Sequence, residues 1–295
     1  MNKPLVSICI PIYNGEAFLA EALASVKTQN YPNLEVVVSD DRSSDASLAI
    51  VEQFQQEVDF PVRIFPHEPQ GIGANWNHCV AKAQGVYIKF LFQDDVLQPT
   101  CVEKMVKVLE SNASVGLVAC KRGFIVEDEM KNDMVNKWLA TYGDLQAHLH
   151  LELHNDLFYL DKTLFKREDF KNSPLNKVGE PSIVMFKKTL WKKVGGFDTN
   201  LKQILDYVFC YRILKYKKIV IINEELALFR VHGNQETNQN RGKKIKDYEI
   251  YNEILYKEFL KYLHPKLKEK LLKKYSFLGW KFYRLKKKIK HKLNA

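Results

Sequence analysis

Two short acidic runs are the residues best suited to chemistry: Ser39-Asp40-Asp41-Arg42-Ser43-Ser44-Asp45 and Phe92-Gln93-Asp94-Asp95-Val96. Bunched carboxylates repel one another, so such runs cost stability unless a cation or hydrogen-bond donors lie among them. A hard, oxygen-seeking metal ion is the usual resolution. Mg2+ takes one or two carboxylates together with phosphate oxygens, which suits a substrate carrying a diphosphate. Asp45 alone, or Asp40 and Asp41 alone, would read as an exposed turn or a helix cap. A third feature is Ala147-His148-Leu149-His150-Leu151-Glu152-Leu153-His154, where the 150/154 spacing would put two imidazoles on one helix face, as a zinc site does. No acid is spaced as in HExxH, so that segment is read as a helix in an insertion.

The elements that must position these groups alternate between strand and helix through the first half. Leu5 to Ile12 reads as a buried strand, Glu16 to Thr28 as a helix, Leu34 to Ser39 as a strand, and Ser44 to Gln56 as a helix capped by Ser43 or Ser44. Val62 to Phe65 and Tyr87 to Phe92 continue the strands, with helices over Ile72 to Ala83 and Pro99 to Glu110. This order implies a parallel sheet, and both acidic runs then fall at carboxyl ends of strands, where open α/β sheets bind ligands. No GxxxxGK[ST] loop is present, and Pro11-Ile12-Tyr13-Asn14-Gly15 stands where a GxGxxG would follow the first strand. A P-loop nucleotidase and a dinucleotide-binding enzyme are therefore disfavoured.

With 295 residues, 46% of them apolar, the chain can bury a sizeable core. The five cysteines, at 9, 79, 101, 120 and 210, include no CxxC pair, which fits a reducing compartment. The apolar stretch at the N-terminus is too short for a signal sequence, and no run approaches the ~20 apolar residues of a membrane span. The expectation is a soluble, cytoplasmic chain. Its charge of +10 is uneven: residues 241–295 hold 18 Lys+Arg against 5 Asp+Glu, so residues 1–240 are net −3. The polar Gly-Asn-Gln-Glu-Thr-Asn-Gln-Asn segment before that tail marks a boundary near residue 240. Within the tail, Leu271, Tyr275, Leu278, Phe282, Leu285, Ile289 and Leu293 make one apolar stripe on a lysine-rich helix. Such a helix can lie on an anionic membrane, here through residues 264–295, or pack on the main domain or a second subunit. No nucleic-acid recognition motif accompanies it.

Several segments in order resemble glycosyltransferase family 2: VSICIPIYNGEAFLAEALASVKTQNYPNLEVVVSDDRSSDAS, GANWNHCVAKAQGVYIKFLFQDDVLQP, GEPSIVMFKKTLWKKVGGFD, LDYVFCYRIL and FRVHGNQET. The likeness spans about residues 4–237. It implies a GT-A fold, a Rossmann-like, mostly parallel mixed sheet flanked by helices, with a C-terminal helical extension. It further implies an inverting, Mg2+- or Mn2+-dependent transfer of sugar from a nucleotide-diphosphate donor to a glycan or lipid-linked acceptor. Residues 1–240 would be the catalytic domain, with a donor half of about 1–120 and an acceptor half of about 121–240, and residues 241–295 the basic extension.

Carried over position by position, the resemblance gives Pro11 and Tyr13 a place in the nucleotide pocket and has either Asp40 or Asp41 accept a hydrogen bond from the base. Asn77 matches a family asparagine in the loop and helix before the fourth strand and would contact the nucleotide sugar; Trp76 stands just before it where an arginine, a possible diphosphate contact, is common. Gln93-Asp94-Asp95 stands at the metal motif, with an amide where the first carboxylate is common; Asp94 would contact the ribose and Asp95 the metal. Asp206 matches the second acid of a Glu-Asp pair and would be the catalytic base, with Leu205 replacing the glutamate. His232 matches a histidine that approaches the metal or diphosphate as a neutral imidazole.

The chemistry is consistent with these roles. A metal would stabilise charge on the departing diphosphate, and a carboxylate would take the proton of a weakly nucleophilic hydroxyl, with no covalent intermediate. Two other classes remain open from the sequence: an inactive sugar-nucleotide or membrane-binding module, because of Gln93 and Leu205, and a sugar nucleotidylyltransferase, whose glycine-rich signature is absent after the first strand.

Overall fold

A computed structural model describes residues 3–233, 235, 245–279 and 281. Contacts divide the chain into two compact units, one of residues 1–161 with 176–242 and one of residues 162–175 with 243–295.

In the first unit, β1 (Val6–Ile12), β2 (Leu34–Asp40), β3 (Val62–Pro66) and β4 (Tyr87–Phe90) form a parallel half-sheet in the order β3-β2-β1-β4. β1 and β2 are buried along their whole lengths, as expected of Val/Ile-rich strands covered on both faces. The strand order then passes antiparallel through β8 (Val184–Lys187) to β6 (Val115–Val126), which pairs in parallel with β9 (Lys218–Val231). The short strands β5 (Val96–Leu97) and β7 (Leu157–Leu160) both run antiparallel to β9. The helices are α1 (Leu19–Lys27), α2 (Ser47–Gln56), α3 (Ile72–Lys82), α4 (Cys101–Ser111), α5 (Asp133–Tyr142), α6 (Lys188–Val194) and α7 (Leu205–Leu214).

Two helices start later than their sequence pattern suggests, for one reason. The Asn14, Gly15 and Glu16 N–H groups donate to Ser43 Oγ (3.0 Å), Ser47 Oγ (2.8 Å) and Asp45 Oδ2 (3.0 Å), so the loops after β1 and β2 tie each other down. Neither Ser43 nor Ser44 caps α2; the Ser47 N–H is taken instead by Asp45 Oδ1, at 3.0 Å. Asn14 and Arg42 hold positive φ, 47° and 60°, at the centres of these loops. Asparagine tolerates that conformation because its short side chain bonds locally, here by accepting the Ser44 N–H at 2.8 Å.

The histidine-rich segment is not a helix. A single 3-10 turn, Ala147–Leu149, ends at His150 in the left-handed region, and His154 bridges to Leu157. His148 Nε2 meets Lys177 Nζ at 2.8 Å and His154 lies beside Glu152, so the three imidazoles share no face.

In the second unit, α8 (Asp247–Ile254), a π-helical turn (Leu255–Phe259) and α9 (Pro265–Tyr275) accompany the 3-10 turn Lys162–Lys166. Phe165 is the centre, with ring centroids 5.3 Å from Phe170 and 5.1 Å from Phe259. The apolar stripe of the tail is divided here. Leu271 is buried and Tyr275 stacks on Tyr256, while α9 stops at Ser276, whose Oγ accepts the Gly279 N–H and starts a new turn. Leu278 is exposed, and Phe282, Leu285, Ile289 and Leu293 lie outside the described residues. Among the described residues no helix is long and apolar enough to cross a membrane. All five cysteines are buried and unpaired in disulfides.

Candidate active-site cleft

The carboxyl ends of β1, β2 and β4 open into one cleft of about 480 Å³, lined among others by Pro11, Tyr13, Asp41, Trp76, Asp94 and His232. That volume suits a small organic ligand, for which pockets run from ~300 to ~1,000 Å³.

Adjacent acids divide their work because successive side chains leave a strand end in opposite directions. Asp40 accepts the Ser43 N–H with both oxygens, at 3.1 and 3.2 Å, and so closes the turn after β2. Asp41 faces the cleft and pairs with His67 Nδ1. His67 in turn lies 4.8 Å, ring to ring, from His78, whose Nδ1 meets Ser39 Oγ at 2.8 Å. Burial, then the neighbouring His67, hold the His78 imidazole below its usual range, so it stays neutral near pH 7. His67 escaped the sequence reading, although it directly follows β3 and obeys the same strand-end rule.

Gln93 explains its own departure from an acid. Its Oε1 accepts the Tyr13 N–H at 2.9 Å and its Nε2 donates to the Tyr13 carbonyl at 3.0 Å. Only an amide can do both; a carboxylate would face the carbonyl with no proton. The strap needs Gly15 beneath it, since a Cβ there would stand 2.5 Å from Gln93 Oε1.

The next two acids also separate. Asp94 lines the cleft, and its Oδ2 lies 3.1 Å from His232 Nε2. Asp95 is 1% exposed and turned inward, where Oδ1 accepts the Arg230 N–H at 3.0 Å and Oδ2 has no partner. Burial, then the charge of Asp94, push Asp95 up to about 8, against hydrogen bonds from Ser182 and Arg230 and the charge of Lys89. Geometry thus turns Asp94, to which the resemblance gives the ribose, toward the cleft, and Asp95, to which it gives the metal, toward the interior. Arg230 fixes this turn. Its Nε donates to the Asp94 carbonyl (2.8 Å), its other nitrogens pair with Glu21 and Glu127, and it lies over Phe18, whose ring is 4.8 Å from that of His232.

Asn77 does not reach the cleft. Its Oδ1 accepts from Trp191 Nε1 and the Phe197 N–H, both at 2.9 Å, and its Nδ2 donates to the Phe197 carbonyl at 2.8 Å. This grip holds the turn at Gly195 (φ 86°), which ends α6, and Gly196 (φ 74°), where a Cβ would come within 2.6 Å of Asn77 Oδ1. Asn75 lines the cleft instead, 4% exposed, with Oδ1 unpaired. Two residues along a helix turn a side chain ~200°, so Asn75 and Asn77 cannot share a face; only the observed orientation of α3 separates them.

Asp206 opens α7 but does not line the cleft. It borders a cavity of about 10 Å³ walled by Phe90, Gly179, Pro181, Phe197 and Phe209, room for about one water. Oδ2 accepts from Asn176 Nδ2 at 3.0 Å and Oδ1 is unpaired. Burial pushes this carboxyl up to about 7. The N–H groups of its own helix turn and the charge of Arg122 pull the other way and lose, so the helix end favours the ion less than desolvation disfavours it. Leu205 is buried, with Cδ1 3.0 Å from where a Gly73 Cβ would stand, a place no glutamate could occupy without a buried charge.

Among the described residues no group of three or more His, Cys, Asp or Glu could hold a metal. The cleft does offer one carboxylate and one imidazole side by side, Asp94 and His232, a donor set that fits a divalent ion if diphosphate oxygens supply the remaining positions.

The sequence profile described as glycosyl transferase family 2 matches residues 7–190, and the chain belongs to that family. An uncharacterized protein of Mycobacterium tuberculosis is 31% identical over 241 residues, 80% of this chain and 70% of its own. An uncharacterized glycosyltransferase of Rickettsia typhi is 27% identical over 264 residues, 88% and 73% of the two chains. Among solved structures, S. aureus TarS 1-349 in complex with UDP-GlcNAc superposes with a TM-score of 0.61 at 18% identity, covering 92% of this chain and 71% of that 1-349 chain. The mannosyltransferase PcManGT of Pyrobaculum calidifontis, with GDP-Man and Mn2+, gives 0.57 at 17%, covering 98% and 81%. The fold is GT-A.

Gln93→Glu is expected to break the strap to Tyr13 by removing its donor. Melting temperature should fall by several degrees, corresponding to about 1–3 kcal/mol for an unmet hydrogen bond, whereas Gln93→Ala, which leaves no repelling charge, should lose less. Calorimetry of the two variants checks this.

Proposed function

We propose that this glycosyltransferase moves a sugar, with inversion, from a nucleotide-diphosphate donor to an acceptor hydroxyl in the synthesis of a cell-surface glycan or glycolipid. One observation carries the reading: a single cleft has a hydrogen-bond-accepting carboxylate, Asp41, on its β2 side and the Asp94–His232 pair on its β4 side. Base and diphosphate are the two parts of a donor that need such unlike partners. The nucleotide sugars held by TarS and PcManGT support the same class of donor.

On this reading Asp41, held by His67, accepts a hydrogen bond from the base, and Pro11 and the exposed Tyr13 ring cover it. Asn75 Oδ1 has a free acceptor site for the donor's hydroxyls. Asp94 and His232 would hold the divalent ion, Mg2+ or Mn2+, together with the donor's diphosphate oxygens. That ion, when bound, supplies Lewis-acid stabilisation of the charge on the departing diphosphate. Asp95 and Arg230 keep the two ligands in place. Asp206 takes the acceptor's proton as the hydroxyl attacks C1 from the face opposite the leaving group.

A panel of UDP-, GDP- and dTDP-sugars tests the donor side. One nucleotide class should raise the melting temperature, and be slowly hydrolysed, only with Mn2+ or Mg2+ present. Asp94→Ala should abolish that response and Asp95→Asn should keep it; a full response in excess EDTA contradicts the metal reading.

The base assignment has a pH signature. A base must be ionised, and Asp206 is pushed up to about 7, so the transfer rate should climb with pH through that value and then level. Asp206→Asn should lose this limb and fall in transfer rate by roughly 10²–10⁴, with donor affinity within a few-fold. Near wild-type transfer by the variant would rule Asp206 out.

The basic tail supports a peripheral seat on an anionic membrane face, which suits a lipid-linked acceptor. Phe277 and Leu278, 70% and 68% exposed, follow five lysines of α9. Anionic vesicles should retain the full chain at low salt, and the double change Phe277→Ser, Leu278→Ser should release most of it. Equal retention of both proteins would remove the apolar contribution.

A further inference from the structure

Trp76 is 8% exposed and lines the cleft, and among the described residues nothing accepts a hydrogen bond from its Nε1. A buried tryptophan usually finds a partner for that N–H. The atom is not sealed in, since the described side-chain atoms that are both closed off and unpaired do not include it. The ring is gripped by Phe90, Phe92 and Phe197, with centroids 6.1, 5.0 and 5.2 Å away, so the indole is fixed in direction. A donor group is thus held ready at the wall of the cleft.

The helix that carries it begins on the same wall. Ile72, Asn75 and Trp76 all line the cleft, at the i, i+3 and i+4 positions of one face of α3, and a helical side chain leans toward the amino end of its helix. Trp76 Nε1 is thereby brought toward that end. No side chain caps it, because the N-cap is Gly71 at φ 93°. The Ala74 and Asn75 N–H groups return to the Gly71 carbonyl, at 3.0 and 3.3 Å, whereas those of Ile72 and Gly73 meet no acceptor among the described residues. Uncapped N–H groups at the start of an 11-residue helix favour an anion. The cleft otherwise offers an anion little: among the described residues that line it there is no lysine or arginine, and Asp41 and Asp94 are acids.

We infer that Trp76 Nε1 and the amino end of α3 together bind the diphosphate of the donor, as neutral hydrogen-bond donors. This rests on the reading that the cleft holds a nucleotide-diphosphate sugar. Phe92, in contact with the indole, precedes Asp94 by two residues, so the phosphates would lie between this wall and the Asp94–His232 pair.

Isothermal titration calorimetry of the full chain with UDP, GDP and dTDP in excess Mg2+ or Mn2+, beside saturation-transfer NMR with uridine, guanosine and thymidine, tests the inference. Trp76→Phe keeps a ring and removes the N–H. Ile72→Pro removes the first N–H of α3 at a position where proline suits a helix, and Ile72→Ala, which keeps that N–H, controls for the lost side chain. Trp76→Phe and Ile72→Pro should each weaken the preferred nucleoside diphosphate roughly tenfold, the size of one hydrogen bond to a charged group, while binding of its nucleoside stays within about twofold. Ile72→Ala should bind the diphosphate nearly as the wild type does. Unchanged diphosphate affinity in Trp76→Phe or in Ile72→Pro, a loss in Ile72→Ala as large as in Ile72→Pro, or an equal loss for the nucleoside overturns the proposal. If none of the three diphosphates binds the wild-type chain, the donor reading falls and the inference with it; binding that ignores both substitutions removes the subsite alone.

Discussion

The hydrogen bond from the Arg230 N–H to Asp95 is the contact on which the site depends. It joins the end of β9 to the turn after β4, two segments separated by more than a hundred residues of sequence, and the Arg230 side chain adds a second bond to the Asp94 carbonyl. A guanidinium 5% exposed is tolerated because Glu21 and Glu127 meet it. Once this clamp is closed, Asp94 and His232 have little choice but to face each other. Rigid support of this kind is what the proposed metal-ligand pair needs, since a few tenths of an ångström decide whether both can bind.

Burial and charge compete at each acid, and the outcome differs by position. Asp40 accepts two contacts from one backbone N–H and serves the turn. Asp95 and Asp206 are desolvated more than they are compensated, and both titrate far above ordinary aspartates. For Asp95 this accords with its inward turn and its bond to the Arg230 N–H. For Asp206 it suits a proton acceptor, because a carboxyl titrating near neutrality takes a proton far more readily than one near 4.

Two residues that depart from the family pattern are accounted for by what they touch. Gln93 is an amide because it both accepts from and donates to the backbone of Tyr13. Leu205 is apolar because it packs beside Gly73 in the core. Neither change weighs against an active enzyme.

The sequence by itself determined the βα order, the parallel donor half and the two acidic strand ends, because Val/Ile-rich runs and helical periodicity are local signals. It also determined the family, through motifs spread along the chain. It left Asp40 and Asp41 unseparated, and the resemblance assigned the metal to Asp95 and a donor contact to Asn77, where the structure turns Asp94 and Asn75 toward the cleft. Neighbouring residues of the same kind differ only in the direction the finished backbone gives them: the turn bond from the Ser43 N–H sets it for Asp40, and bonds formed across the fold set it for the others, Arg230 for Asp95 and Trp191 with Phe197 for Asn77. The helix expected over the histidine-rich segment failed for the same reason. Its i, i+4 spacing is compatible with a helix, but β7 pairs with β9 and draws the preceding chain into a 3-10 turn and a bridge. Which side chains reach the cleft was decided by long-range contacts, which no local pattern encodes.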